Sequence, residues 1–153
     1  MFKESRHIAC YQSYKSEFPT DQLIQSIWEA DKICYLPVLT ENKTLQFVRF
    51  NENDELQPNQ LSILEPVNTH YLIRPDKLDL VIMPLVSFDN KGNRLGAGGG
   101  YYDKTFSFMQ DQQHNTPFML GLGFAMQEAR DMPQDAWDIK LHAVLTEKEL
   151  LTF

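Results

Sequence analysis

One run of residues holds most of the chain's capacity for chemistry: Arg94-Leu95-Gly96-Ala97-Gly98-Gly99-Gly100-Tyr101-Tyr102-Asp103. Four of the seven glycines fall inside it. A glycine-rich turn between a strand and a helix directs several backbone N–H groups at one point, where an anion can sit. Arg94 adds a forked cation suited to phosphate, and Asp103 offers a hard oxygen ligand for Mg²⁺. Three consecutive glycines cost backbone entropy unless something approaches closely or the chain needs positive φ. The run fits neither the Walker spacing nor the dinucleotide fingerprint, so on pattern alone a phosphate site and a plain structural turn both stand.

The same two-sidedness holds residue by residue. Arg94 alone reads as a surface charge; beside this loop it reads as a phosphate contact. Tyr101 and Tyr102 serve either as core aromatics or with one ring over a planar ligand. Asp103 suits a helix N-terminus through the dipole as well as it suits a metal. Lys104 reaches either a phosphate or solvent. Glu17 and Glu65 read first as loop carboxylates, although Glu17 follows the first strand, at the end where ligands gather in α/β sheets. His142, on an apolar strand, reads as a satisfied core residue, and Asp138 as a turn or cap. No His/Cys cluster has zinc spacing, and no Ser or Cys sits in a nucleophile motif.

These residues need a scaffold, and the hydrophobic pattern supplies one. His7–Tyr11, Lys32–Leu39, Leu45–Phe50, Phe118–Phe124 and Leu141–Thr146 read as strands. Leu78–Phe88 is apolar on both faces, as a central parallel strand is. Thr20 or Asp21 caps a helix whose Leu23, Ile24, Ile27 and Trp28 share one face. A second helix is predicted from Tyr101 to Gln112, and a short one over Gln127–Asp131. Ser13–Pro19 and Asn51–Gln60 read as loops, Leu61–Pro66 as a short apolar piece, and Asp89–Asn93 as turn chemistry. Strands alternating with helices predict an α/β fold with a largely parallel sheet.

At 153 residues the chain suits one domain with one core. Its 42% hydrophobic and 23% charged content excludes a disordered chain. A net charge of −7 argues against a nucleic-acid partner, while a local pocket with Mg²⁺ still accommodates ATP. The apolar runs are too short for a membrane span. Two cysteines, Cys10 and Cys34, in apolar segments read as buried free thiols of a cytoplasmic protein.

The longer pattern Leu85-Val86-Ser87-Phe88-Asp89, Gly92-Asn93-Arg94-Leu95-Gly96, Gly98-Gly99-Gly100-Tyr101-Tyr102-Asp103 resembles the signature of the 5-formyltetrahydrofolate cyclo-ligases, also called methenyltetrahydrofolate synthetases. Glu17 with Pro19 and Thr20, Tyr35-Leu36-Pro37-Val38, Ile63-Leu64-Glu65-Pro66 and Trp137-Asp138 are similar to further segments of that family, so the resemblance covers nearly all of the chain. It implies an α/β fold in three layers, α/β/α, with a mostly parallel sheet, similar to the phosphosugar isomerase/CoA transferase-like fold. It implies an enzyme that uses ATP and Mg²⁺ to convert 5-formyltetrahydrofolate to 5,10-methenyltetrahydrofolate, with release of ADP and phosphate. The formyl oxygen would be phosphorylated, N10 would attack the formyl carbon, and phosphate would leave. Such chemistry needs positioning and charge neutralisation rather than a protein nucleophile.

By the same resemblance, Arg94, Leu95, Gly96, Ala97, Gly98, Gly99 and Gly100 would hold the ATP phosphates. Arg94, Tyr101 and Lys104 would act on the transfer, and Asp103 would ligate Mg²⁺. Tyr101 and Tyr102 would line the wall shared by nucleotide and folate, and Glu17 would hydrogen-bond the pterin. A monomer or weak dimer with no nucleic-acid or membrane partner is expected. Two departures accompany the resemblance. Many members begin with a basic N-terminal helix that reaches ATP, whereas this chain starts at Met1-Phe2-Lys3-Glu4-Ser5-Arg6. The expectation is a single domain over 1–153 without that helix, binding ATP more weakly by ~1–3 kcal/mol per lost charged hydrogen bond. A C-terminal Asp that assists Mg²⁺ in some members stands here as His142, which is assigned no metal role. The rival reading is a folate-binding protein without productive ATP use; a subunit completed by another chain is a third.

Overall fold

The computed structural model describes residues 1–111 and 113–153. The first half contains β1 (His7–Ala9), α1 (Asp21–Glu29), β2 (Ile33–Leu39), β3 (Leu45–Arg49), β4 (Leu56–Pro58), β5 (Leu64–Pro66) and β6 (Leu72–Ile73). The second half contains β7 (Leu80–Pro84), β8 (Ser87–Asp89), β9 (Arg94–Leu95), α2 (Tyr101–Thr105), β10 (Phe118–Leu122), β11 (Glu128–Ala129), β12 (Ala143–Leu145) and β13 (Leu150–Thr152). Eight strands form one sheet in the order β13-β12-β10-β7-β1-β2-β3-β6. Its five central strands, β12 through β2, run parallel; β3, β6 and β13 add antiparallel edges. The chain is thus α/β with a large, mostly parallel sheet.

Alternation along the central strands divides the core into two faces. Ile8, Cys10, Cys34, Leu36, Leu80, Ile82, Leu120 and Leu122 point to one face, where Ile24 and Ile27 of α1 cover them. Ala9, Tyr35, Val81, Met83 and Met119 point to the other, beneath Phe47 and Phe106. Each fully buried aliphatic side chain contributes roughly 1.5–3 kcal/mol, which is why strands of three to seven residues hold so firmly. The helical face read from the sequence is the one used: Ile24 and Ile27 are buried, and the Trp28 indole N–H donates to the Phe50 carbonyl at 2.9 Å. Thr20 occupies the N-cap position without capping; its hydroxyl donates instead to the Tyr11 carbonyl at 2.6 Å. Cys10 and Cys34 are free and buried, and burial pushes the Cys10 thiol up to about 12.

Several boundaries differ from the sequence expectation. The apolar run Leu78–Phe88 is not one strand. Pro84 has no N–H to continue the ladder, so β7 stops there and β8 joins a separate small sheet with β9 and β11. The predicted helix from Tyr101 is an α-helix only to Thr105, followed by a 3₁₀ turn over Ser107–Gln110; its expected end at Gln112 lies outside the described residues. The helix unwinds so that Phe106 can drop into the core, where it is completely buried. The short helix expected at Gln127 is a 3₁₀ turn, Ala125–Gln127, that runs into β11. There the Gln127 amide donates to the Leu85 and Val86 carbonyls, both at 3.0 Å, and so fixes the segment as an extended neighbour of β8. The polar Asn51–Gln60 stretch and the piece after it form the β4–β5 hairpin, and β13 adds an edge strand not expected from the sequence.

Phe106 is the anchor of the layer opposite α1. Phe106→Ala is expected to lower the unfolding free energy by about 3–5 kcal/mol, read from urea denaturation. A loss below about 1 kcal/mol, the size of an ordinary surface change, contradicts the anchoring role.

Candidate functional site

β1 connects to β2 on one side of the sheet, while β7 connects to β10 on the other. Their carboxyl ends therefore diverge, and such a point leaves a crevice for ligands. The chain reaches this crevice through a turn built by one carboxylate. Asp89 is buried; it accepts hydrogen bonds from the Lys91 N–H at 2.9 Å, the Asn93 N–H at 3.0 Å and the Asn93 amide at 2.8 Å. Burial pushes this carboxyl up, but those hydrogen bonds outweigh it and leave it below its ordinary value. Gly92 completes the turn at φ +77°, where a Cβ would lie 2.6 Å from the Leu141 carbonyl oxygen. The turn reverses the chain into β9, and the first residue of β9 is Arg94.

The Arg94 side chain is only 6% exposed, yet it is poorly bonded. One guanidinium nitrogen, Nη1, donates to the Pro84 carbonyl at a long 3.4 Å, Nη2 lies 3.7 Å from Asp103 Oδ1, and Nε has no partner among the described residues. The guanidinium also stands 5.5 Å from the centre of the Tyr102 ring, within cation–π range. Burial lowers its pKa and the charge of Asp103 opposes that shift. A guanidinium has five N–H donors, and each buried donor left unpaired costs about 1–3 kcal/mol. Its remaining donors can take acceptors from outside the chain.

The glycine loop lies open beside it. Gly98 and Gly100 adopt φ +100° and +67°, with open space where a side chain would project. A Cβ on Gly96 would fall 2.6 Å from Arg94 Nη1, and one on Gly99 2.6 Å from the Tyr101 ring. Leu95 and Ala97 are exposed; the Leu95 carbonyl accepts from the Val86 N–H at 2.8 Å. α2 has only five residues, so its dipole is small and the positive field at this point comes mainly from Arg94.

Asp103 serves two partners at once. Its Oδ1 faces Arg94 and accepts from the Ile139 N–H at 3.0 Å. No hydrogen bond to its Oδ2 occurs among the described residues. That oxygen suits Mg²⁺, which usually takes one or two carboxylates and fills its remaining positions with phosphate and water. No group of three potential ligand residues occurs among the described residues. Lys104 is not brought to the loop: its ammonium donates to the Asn42 carbonyl, in the turn between β2 and β3.

Glu17 approaches from the loop after β1. Its Oε1 accepts from the Tyr14 N–H at 2.9 Å; burial raises its pKa against that bond. The Tyr102 hydroxyl is raised by burial, lowered by Arg94 and raised by Cys10 and Glu17, so Arg94, Tyr102 and Glu17 share one electrostatic neighbourhood. Tyr11 fastens the Glu17 loop to β1 through a hydrogen bond to the Phe18 carbonyl at 3.0 Å, and Phe18 packs on Phe124 with centroids 4.8 Å apart. Tyr11, Phe18, Phe124 and Asp89 were not singled out from sequence. Only Asp89 carried a usable signal, the Asp-Asn-Lys-Gly-Asn turn. Glu65, Asp138 and His142 make local structural bonds, accepting from the N–H groups of Leu39 at 2.7 Å, Asp135 at 2.9 Å and Met119 at 2.9 Å.

The chain matches the 5-formyltetrahydrofolate cyclo-ligase family over residues 1–147. It is 38% identical to the 5-formyltetrahydrofolate cyclo-ligase of Haemophilus influenzae over 146 residues, covering 94% of this chain and 76% of that protein. Identity to the cyclo-ligase of Escherichia coli K12 is also 38%, over 91% of this chain and 76% of the relative. The NMR structure of Aquifex aeolicus 5,10-methenyltetrahydrofolate synthetase superposes with a TM-score of 0.80 at 29% identity, covering 99% of this chain and 73% of that one.

His142 offers a pH test of the site's supporting strand. Burial holds its pKa below the ordinary 6.5, so as pH falls the unfolded chain takes up the proton first. The stability contributed by neutral His142 is therefore complete above about pH 6.5 and is lost as pH falls through the lower folded value. Between pH 7.5 and 5, the urea midpoint of the parent protein should fall further than that of His142→Asn. Parallel pH profiles would show that His142 does not titrate in this way.

Proposed function

The chain belongs to the 5-formyltetrahydrofolate cyclo-ligase family, and from that premise we propose that it is the ligase converting 5-formyltetrahydrofolate to 5,10-methenyltetrahydrofolate at the expense of ATP. One observation carries the reading: among the described residues the buried Arg94 guanidinium is under-bonded, and it stands beside a loop in which Gly98 and Gly100 have open space at the side-chain position. Phosphate oxygens supply the acceptors that Arg94 lacks. The matched relatives bear the ligase name, which weighs against the binding-only reading.

The difficulty of the reaction is that a formamide oxygen is a poor leaving group. Transfer of the γ-phosphoryl group of ATP to that oxygen makes it one, N10 then forms the new C–N bond with loss of its proton, and the oxygen departs in phosphate. Mg²⁺ would neutralise charge on the phosphates. Arg94 and the Gly96–Gly100 backbone hold the phosphates against the crevice, and electrostatic stabilisation there is worth most because the guanidinium is already desolvated. Asp103 presents Oδ2 to the cation while Oδ1 keeps Arg94 oriented. Glu17, set at the end of β1, accepts from the paired N–H donors of the pterin, and its raised pKa reflects the dry surroundings a flat heterocycle prefers. Tyr101 and Tyr102 form the wall between the two ligands. Lys104 takes part in phosphate binding only by releasing the Asn42 carbonyl. One helix on each face of the sheet supports a three-layer α/β/α architecture like that of the phosphosugar isomerases and CoA transferases. The buried free thiols accord with a reducing cytoplasm.

The deciding assay follows the methenyl product by absorbance, with Mg²⁺, with and without ATP. ATP-dependent product is expected; saturable folate binding without product leads to the binding-protein reading instead. Arg94→Met should lower kcat/KM for ATP by about 10- to 100-fold, the cost of one strong charged contact. Asp103→Asn should suppress Mg·ATP-dependent turnover while folate still binds. Glu17→Gln should weaken folate and spare nucleotide, and an unchanged folate affinity refutes its assignment.

A further inference from the structure

We propose that Trp137 is the base-stacking residue of this site, its indole receiving the adenine ring of the nucleotide whose phosphates Arg94 holds. The inference rests on the phosphate reading of Arg94. Trp137 is 64% exposed, an unusual place for the side chain with the largest apolar surface. It makes no hydrogen bond through its indole N–H among the described residues.

The segment around Trp137 is held on both sides. Before it, the Asp135 N–H donates to Asp138 Oδ2 at 2.9 Å, and the Ala136 carbonyl accepts from the Gln110 amide at 3.1 Å. After it, the Asp138 N–H donates to the Asp135 carbonyl at 3.1 Å, and the Leu141 N–H to the Gly92 carbonyl at 2.9 Å. Between them, the Ile139 N–H is held at 3.0 Å by Asp103, the carboxylate that faces Arg94. Ile139 and Leu141 are both buried. Two residues of chain span at most about 7 Å, so the Trp137 backbone cannot stand far from the phosphate-binding group. A fixed turn thus presents an exposed indole two residues from the amide that Asp103 holds.

The charges of the turn select what can lie on that face. Asp135 and Asp138, on either side of Trp137 in the chain, repel phosphate, which Arg94 attracts. A neutral purine is not repelled by them, and its exocyclic amine is a donor that a carboxylate accepts. The pterin of folate is also a flat heterocycle, but Glu17, the carboxylate suited to its donors, lies in the loop after β1 and shares its surroundings with Tyr11 and Tyr102. The position of the turn against Asp103 therefore favours the nucleotide.

The test uses the full chain with Mg²⁺ and three probes: ATP, inorganic tripolyphosphate and 5-formyltetrahydrofolate. Trp137→Ala should weaken ATP binding by roughly 5- to 100-fold, the range expected when one base loses its aromatic partner. Tripolyphosphate and folate affinities should change less than about twofold, since neither uses the stacking face, and Trp137→Phe should restore most of the ATP affinity. ATP should also change the indole fluorescence of the parent protein and not that of Trp137→Phe, which retains Trp28. Unchanged ATP affinity in Trp137→Ala overturns the proposal. So does equal weakening of ATP and tripolyphosphate, which marks a structural role, and so does selective weakening of folate, which assigns the indole to the pterin. Arg94→Met separates the two readings: it should weaken ATP and tripolyphosphate together, and if it weakens neither, the phosphate assignment itself fails.

Discussion

Keeping a guanidinium out of water without fully bonding it is the constraint on which the rest of this site depends. Arg94 is desolvated, so its field reaches a bound anion with little screening, but a buried cation with unpaired donors is a liability in the folded protein. The surrounding structure confines that liability. Asp89 fixes the preceding turn with its own fully bonded carboxylate and leaves Arg94 free of that duty. Pro84 ends its strand and turns a carbonyl toward Nη1. Gly96 lacks the side chain that would collide with Nη1. The deficit that remains sits beside the loop in which Gly98 and Gly100 leave the side-chain position open. An acceptor that reached the guanidinium would offset that cost.

The sheet explains why the loop bearing Glu17 and the chain leading to Arg94 start from one end of the fold. β1 and β7 are parallel neighbours whose connections leave in opposite directions, so the loops after them, one bearing Glu17 and the other leading to Arg94, leave from the same end of the sheet. The parallel strands are short, yet both faces are covered, and this rigidity lets loops of unequal length meet with fixed geometry. Burial raises the Tyr102 pKa, the Arg94 charge opposes that shift and Glu17 adds to it, so the ring feels both charged groups.

Much of this was legible in the residues, for reasons that also mark where legibility stopped. Consecutive glycines next to Arg94 announced a backbone needing freedom, and the structure puts two of those glycines at positive φ. The i, i+3, i+4 spacing from Leu23 to Trp28 identified the buried face of α1 because one helix covers one face of the sheet. The run Leu78–Phe88 misled because apolar content does not report hydrogen bonding: Val86 is exposed, and its N–H serves β9 rather than the ladder. The helix beginning at Tyr101 carried favourable residues beyond Thr105, but burial of Phe106 overrode local propensity. The β4–β5 hairpin was hidden by polarity, since a peripheral two-stranded sheet buries too little to impose alternation. Lys104 sits next to Asp103 in sequence, yet helical geometry sends adjacent side chains in different directions, and it bonds to Asn42 instead.

The Asp103–Ile139 hydrogen bond joins residues 36 positions apart and couples occupancy to local opening. Any ligand that rearranges the Asp103 carboxylate also changes the protection of one backbone amide in a distant segment. By linkage, whatever holds that segment closed tightens the grip of Asp103 in equal measure. The exchange rate of that single amide hydrogen thus reports on the state of the Asp103 carboxylate, readable without any chemical turnover.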